Sequence, residues 1–598
     1  MPSAQCSRPA ARFARRAHWA WAAILLAALA TGAAHAQVPD ARSAPEADTG
    51  AETHTLASAK RHMISAANGY AAEAGREMLR AGGSAIDAAI ATQLVLNLVE
   101  PQSSGIGGGA FVLYWDAGKS ELKVYDGRET APASATPDRF LVGGKPMPFD
   151  AAVRSGLSIG VPGLVRLLET IHREHGRLPW ARLFEPAIRL AEDGFEVSQR
   201  LHLLLRWEGP DSFVPAARRY FFTGTGNAWP IGYQLKNPEF AATLRRIAAD
   251  GAEGFYTGPV AQAIVAAGAA APIAASGMTQ EDLSRYTIKE RGPVCVGYRG
   301  YKICGIGPPS SGGTAVAQTL KLLEPFDLGK GASAALQPQA LHLIAEAEKL
   351  AYADRNRYLG DPDFVTVPDG LLDADYIVQR RALIDPLRAM ERAHPGEPRG
   401  LGRQSFGKDA TIERAGTSHI SAIDDSGNAV AMTTTIEGAF GSHNWAAGFL
   451  LNNELTDFSF VPIDAEGRPA ANAVAPGKRP RSSMAPTIVF DGQGRVVAVL
   501  GSPGGSRIIL YVVKTLIALI DWGMDAQEAA DLMNFGSEGS GFEIELAWPA
   551  VWTAIKLKPL GHRIVPSLMN SGTHIVTQRG DHLEGAADAR REGAALGD

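Results

Sequence analysis

The chain has 598 residues, 45% hydrophobic and 20% charged, with a formal net charge of −5 at pH 7. This fits a soluble globular protein long enough for several domains or two large interleaved lobes. A mildly acidic balance gives no basic footprint for nucleic acid or for a membrane surface.

The N-terminus carries an export pattern. Arg8, Arg12, Arg15 and Arg16 precede an apolar run from Ala20 to Ala30, too short to span a bilayer, and Ala34-His35-Ala36 is an A-x-A cleavage site. Residues 1–36 therefore read as a signal peptide, and the remainder as periplasmic or secreted with no membrane anchor. Residues 37–60, rich in Ala, Pro, Glu, Asp and Ser, read as a disordered leader.

From His62 the pattern firms up. Tyr70 to Ala81 reads as a helix closed by Gly82-Gly83. Ser84 caps a second helix, with Asp87 in the capping-box position, and its apolar run AAIATQLVLNLV belongs in a core. Glu100 to Ala110 (EPQSSGIGGGA) is a glycine-rich loop opening the strand FVLYW. A dinucleotide loop follows a strand and opens a helix; this order is reversed, and no Lys completes a P-loop. The next strand ends at Arg128. An Arg there is either a surface charge or a bidentate clamp for a carboxylate.

Gly156-Leu-Ser158-Ile-Gly160 matches a nucleophile elbow, but Val161-Pro162-Gly163 follows where the elbow needs a helix to begin. His172 and His175 read as charges at a helix end, without a third metal ligand. Cys295 and Cys304 flank a short hairpin turning at Arg299-Gly300; a cross-hairpin disulfide and two buried thiols both fit. No metal or cofactor is expected. Pro308 to Gly313 is a turn before a helix, and Leu341 to Tyr358 is another helix. Residues from about 385 to 416 are charged, with Pro and Gly throughout and little period, and read as a mobile tether.

In the stretch from Thr411 to Gly441, the chain after Gly416 alternates apolar and polar residues on both sides of Asp424-Asp-Ser-Gly-Asn428, a turn sequence that tolerates positive φ. A hairpin symmetric about Ser426 sets Thr417 directly across from Thr435. Gly416 leaves the carbonyl before Thr417 unhindered. The Thr417 hydroxyl can attack it, form an ester, and be released by water as the first residue of a new chain. An α-amine titrates near ~8 and can accept the hydroxyl proton near neutral pH. An ordinary surface hairpin fits the same stretch. Further on, the segments 448–459, 476–490 and 496–509 bring polar or glycine-rich turns that could converge. In Gly501-Ser-Pro-Gly-Gly505, the N–H groups near Gly504 and Gly505 could face an oxyanion.

Taken together, AGGSAIDAAIA, EPQSSGIGGGAF, DGRETAP, LPWARLFEPAI, PPSSGG, ADRNRYLGDPDFV, GTSHIS, LLNNELTDFS, KRPRSSMAPT and GSPGGSR resemble, in order, the motifs of the γ-glutamyltransferase (γ-glutamyltranspeptidase) family of N-terminal nucleophile hydrolases. The resemblance runs from about His62 to the C-terminus. It implies an α+β fold of four layers, α-β-β-α, with two mainly antiparallel sheets between helices. It implies cleavage at Gly416–Thr417 into a large subunit (61–416 after the leader) and a small one (417–598) that stay associated. Thr417 would be the nucleophile, Thr435 its hydrogen-bonding partner, and Gly504 and Gly505 the oxyanion hole. Arg128, Ser482 and Ser483 would bind the donor's α-carboxylate; Glu454 and Asp457 would hold its α-ammonium. The donor would be a small γ-glutamyl compound such as glutathione, and the acceptor water, an amino acid or a peptide.

Two departures stand out. Glu437 occupies a position where many members carry Asn near the donor's amino group. The loop from Phe458 to Asn472 is shorter than in members with a full lid, which favours hydrolysis over transfer. Bacterial cephalosporin acylases resemble the same region. A glutaryl donor has no α-ammonium, so Glu454 and Asp457 argue against that substrate. A non-catalytic periplasmic binding protein that keeps the pocket is the reading from another class.

Overall fold

The computed structural model describes residues 54–401, 405–409, 411–414 and 416–598. The expected signal peptide lies outside them, as does most of the expected leader; Ala57–Ala59, the leader's end, are not disordered but form an edge strand.

Fourteen strands make two seven-stranded sheets. In chain order they are β1 (Ala57–Ala59), β2 (Met63–Ala66), β3 (Gly109–Asp116), β4 (Glu121–Gly127), β5 (Lys289–Arg291), β6 (Pro293–Tyr298), β7 (Tyr301–Ile306), β8 (Thr417–Ile423), β9 (Ala429–Thr435), β10 (Thr487–Phe490), β11 (Val496–Gly501), β12 (His574–Arg579), β13 (His582–Ala587) and β14 (Ala594–Gly597). The first sheet runs β1-β13-β12-β11-β10-β7-β6 and the second β14-β2-β8-β9-β3-β4-β5. Every neighbouring pair in both is antiparallel.

The sheets stack face to face, with β8 and β9 against β11. Helices α1 (Gly69–Arg80) and α2 (Ala85–Val99) cover the outer face of the second sheet. Ile64, Val112, Ile420 and Met432 point into that cluster. Phe111, Leu113, Ile423 and Ala431 point the other way, into the cluster shared with the first sheet, as a period of two requires. Helices α3 (Gly312–Leu323), α4 (Pro338–Tyr358) and α5 (Ile508–Ile520) close the far side. The order is helix, sheet, sheet, helix.

Local chemistry accounts for the elements around the site. Ser84 and Asp87 form the reciprocal capping box that starts α2, and every residue of α2 is buried. The β8–β9 turn is closed by Asp424, whose Oδ1 accepts the N–H groups of Ser426 (2.8 Å) and Asn428 (3.1 Å), while Gly427 takes φ +78°. This sets Thr417 opposite Thr435 and Ile423 opposite Ala429, the register read from the sequence. On the neighbouring hairpin, Cys295 and Cys304 are directly opposed and disulfide-bonded.

Candidate active site

Thr417 heads β8, and its side chain belongs to the face turned toward the first sheet. Below it on that face, His419 Nδ1 pairs with Thr433 Oγ (2.8 Å) and Nε2 with Ser421 Oγ (3.0 Å). Burial holds the His419 imidazole well below its ordinary pKa, so it stays neutral. The base of the site is thus a fixed polar column.

In the intact chain Gly416 and Thr417 are joined. The Thr435 hydroxyl donates to the Gly416 carbonyl oxygen (2.5 Å) and accepts the Glu437 N–H (2.8 Å). The carbonyl expected to be attacked is therefore polarised by the residue across the hairpin. Arg591 Nη1 donates to the Thr417 carbonyl (3.2 Å) and steadies the other side of the bond. Gly416 is required by close approach: a Cβ there would lie 2.2 Å from the Glu437 carbonyl oxygen and 2.8 Å from the Gly438 carbonyl carbon. Glu437 itself adopts φ +74°, a left-handed conformation that a non-glycine residue holds only when its surroundings impose it.

One cavity gathers Arg128, Thr417, Thr435, Glu437, Glu454, Asp457, Ser482, Ser483 and Gly505. Of the residues that the family resemblance assigns to the site and the cut, Gly504 and Gly416 are not among its lining. Gly504 sits at the turn leading into a 3-10 turn (Gly505–Arg507) and then α5; a Cβ on it would meet the Tyr511 ring at 2.5 Å.

Arg128 is buried and fully engaged. It donates to Glu454, to Asp457 (2.6 Å), and to the carbonyls of Pro480 (3.3 Å) and Arg481 (3.0 Å). Around this guanidinium lie four buried acids, Glu129, Glu437, Glu454 and Asp457, with Arg414 of the tether beside Glu437. Burial, then their mutual repulsion, pushes the carboxyls of Asp457 and Glu129 well above the ordinary range. Burial and the charge of Glu454 push Glu437 to about 8. Two cations, one of them already paired with Asp150, cannot neutralise four carboxylates, so this side of the cavity holds protons or receives a cationic group.

Sequence reasoning missed Glu413, Arg355 and Arg481. Glu413, on the tether, takes hydrogen bonds from Arg355 Nη2 (2.7 Å to Oε2), Arg481 Nη2 (3.1 Å to Oε1) and Ser483 Oγ. Burial raises the Glu413 pKa, but the two guanidiniums outweigh it and hold the carboxyl at about 2. Arg355 lies inside α4 and Arg481 in a loop; no spacing pattern links either to residue 413.

Ser158 is not an elbow nucleophile. Its hydroxyl is turned to the carbonyls of Val153 (2.7 Å) and Ser155 (2.9 Å), and the next α-helix starts only at Leu164. Among the described residues, His342, Glu346 and His562 form the one cluster with metal-ligand spacing. Its atoms are already used: the two rings share a hydrogen bond (2.8 Å), and Glu346 binds the Lys349 ammonium (2.7 Å) and the Met390 N–H (2.8 Å). An ammonium in that position opposes a metal cation.

A threonine at the head of an inner strand, between two stacked antiparallel sheets and beside a buried charged pocket, defines the class of N-terminal nucleophile hydrolases. The gamma-glutamyltranspeptidase family model matches residues 71–598. Glutathione hydrolase proenzyme of Bacillus subtilis (strain 168) is 36% identical over 549 residues, covering 90% of this chain and 91% of that protein. Its counterpart from Escherichia coli (strain K12) is 35% identical, covering 95% and 97%. Among solved structures, the cephalosporin acylase of Bacillus halodurans superposes with a TM-score of 0.79 at 27% identity, covering 92% of this chain and 97% of that one. The chain belongs to the gamma-glutamyltranspeptidase family, and with it to the enzymes that hydrolyse or transfer γ-glutamyl groups. Among the described residues, no helix is long and apolar enough to cross a membrane.

Proposed function

We propose that this chain is an exported proenzyme that cuts itself at Gly416–Thr417 and then cleaves the γ-glutamyl amide of glutathione-like donors. The observation that carries the reading is the surplus of buried acids around Arg128, next to the paired threonines. A γ-glutamyl group bears an α-ammonium, and Glu437, Glu454 and Asp457 supply its counter-charge. The donor's α-carboxylate goes to the Arg128 guanidinium, which those acids surround, and to Ser482 and Ser483.

In self-cleavage, Thr417 Oγ attacks the Gly416 carbonyl carbon while Thr435 holds its oxygen. The C–N bond breaks, the nitrogen takes a proton and becomes the α-amine of Thr417, and water hydrolyses the ester. In turnover, that amine accepts the Oγ proton as Oγ attacks the donor's γ-carbonyl, and passes it to the leaving amine. The N–H groups at Gly504 and Gly505 face the oxyanion. Water or an amine then takes the acyl group. A cavity of about 250 Å³, lined by Asp150, Arg154, Glu208 and His443, adjoins the first through Arg414 and Glu437 and suits the leaving group or the acceptor. The two subunits stay together because the second sheet draws β2, β3, β4 and β5 from before the cut and β8, β9 and β14 from after it.

The acylase reading rests on the structural match to the cephalosporin acylase. Two measurements decide. Denaturing intact mass of the exported protein is expected to give chains of about 40 and about 19 kDa, in proportion to residues 37–416 and 417–598 of the 63.2 kDa chain. Thr417→Ala is expected to give one chain of about 59 kDa and no turnover; two correctly cut chains in that variant would sink self-processing by Thr417. Comparing γ-glutamyl and glutaryl anilides then tests the donor. Faster turnover of the glutaryl compound would mean an acylase.

A further inference from the structure

Beside the nucleophile cavity lies the second one, of about 250 Å³, and the two share Arg414 and Glu437. It is just under the size, upward of about 300 Å³, that holds drug-sized ligands, and suits a dipeptide. Two of its side chains have polar atoms to offer. Arg154 is half-buried at the end of the short helix Phe149–Arg154 and uses only Nε, on the Asp150 carbonyl one turn back (3.3 Å). Among the described residues no carboxylate pairs with its guanidinium. His443 is 5% exposed, and neither ring nitrogen has a hydrogen-bond partner. The ring packs edge-on against Phe213 (4.8 Å), the His443 carbonyl accepts the Val214 N–H (3.4 Å), and φ is +59°. A buried imidazole without partners, in a left-handed conformation, is a place the fold holds at a cost.

The remaining charges of the cavity are engaged. Asp150 pairs with Arg414 (2.9 Å), Glu208 Oε2 stands 3.5 Å from His443 Nε2, and Glu437 accepts a hydrogen bond from Asn453. The charge left over is the Arg154 guanidinium, whose planar fork suits a carboxylate. We propose that Arg154 and His443 form the leaving-group subsite and select peptides with a free C-terminal carboxylate: Arg154 binds that carboxylate, and His443 hydrogen-bonds the peptide leading to it. The proposal rests on the γ-glutamyl reading of the first cavity and concerns the other side of the scissile bond. A two-residue leaving group reaches roughly 7 Å beyond the amide nitrogen, enough to pass from one cavity into the next. An acceptor dipeptide, entering by the reverse of the same step, meets the same pair.

The test compares three donors with one acyl group: glutathione, glutathione amide, whose terminal carboxylate is neutralised, and γ-glutamyl anilide, which has no peptide. In this ping-pong scheme kcat/KM reports the acylation step, while the leaving group is still attached. Self-cleaved wild type is expected to favour glutathione over its amide about tenfold. Arg154→Gln is expected to lose about tenfold on glutathione and to stay within about twofold on the amide and the anilide, with Arg154→Lys recovering part of the loss. His443→Asn, which tolerates positive φ, is expected to lower glutathione and its amide together and to spare the anilide. A merely structural Arg154 lowers all three donors alike. That outcome, or equal kcat/KM for glutathione and its amide in wild type, overturns the proposal. Should His443→Asn not fold, the Arg154 variants decide alone. If wild type turns over none of the three but cleaves glutaryl anilide, the γ-glutamyl reading falls. The same Arg154→Gln comparison on a glutaryl dipeptide and its amide then decides the subsite.

Discussion

The two sides of the cavity around Thr417 are charged in opposite senses and are neutralised in different ways. On one side four acids crowd the Arg128 guanidinium, with Arg414 beside Glu437, and burial with mutual repulsion favours their protonated forms, raising Glu437 to about 8. On the other side two guanidiniums converge, and the surplus is relieved by a carboxylate from the protein's own tether, with Glu413 held at about 2. Burial acts on both carboxyls in the same direction, upward; neighbouring charge alone separates them. An α-amino acid head, with its ammonium and carboxylate on one carbon, matches the pair of surpluses. A dicarboxylic acyl group without the amine matches only one.

Removing the cation of the acidic side should break this contrast most severely. Arg128→Ala leaves Glu454 and Asp457 buried without their counter-charge, and breaking such a pair costs on the order of 3–5 kcal/mol. We expect a fall of about 10³ in kcat/KM for γ-glutamyl anilides and a lowered Tm. Retention of wild-type kcat/KM would mean that the acids do not need the guanidinium to be arranged for substrate. Thr435→Ala acts where the two sides meet. It removes the hydroxyl that polarises the Gly416 carbonyl, and loss of one such donor costs about a hundredfold. Self-cleavage, followed by gel over time, should slow by about that factor, with Thr435→Ser close to wild type; equal rates for Thr435→Ala and wild type would remove Thr435 from the reaction.

The smallest effect is the most specific. An ammonium bound beside Glu437 favours its ionised form, so below pH 8 binding must expel a proton. L-glutamate affinity for the cleaved enzyme should therefore rise from pH 6 to pH 8, by at most about tenfold per unit, and level off above. Glutarate, without the amine, should show no such rise. A flat profile for glutamate would mean that Glu437 does not meet the ammonium.

Local pattern was enough for the scaffold of the site. Alternation on both sides of Asp424 to Asn428 gives β8 and β9 and their register, because side chains repeat every second residue and the turn residues close only one loop length. The Ser84–Asp87 box and the run after it likewise give α2. Motif order also marked Arg128, Glu454, Asp457, Ser482 and Ser483, which the fold brings to one cavity. Whether Cys295 and Cys304 pair was left open, since the hairpin brings them level but does not make the bond.

The tether shows what the sequence could not settle. Residues 405–414 have no period, so nothing local assigns them a place. Their position comes from charges on other segments: Glu413 finds partners 58, 68 and 70 residues away in sequence. Arg355 in a helix reads as a solvated charge until packing buries it. The left-handed φ of Glu437 is equally invisible, because glutamate does not favour it and only the surrounding fold imposes it. The sequence by itself determined the hairpin, its threonine pair and the family motifs, since these depend on neighbours along the chain. Tertiary structure decided which charges face which, because electrostatic pairing in a buried cavity depends on distance and desolvation across separate elements, and neither has a period to read.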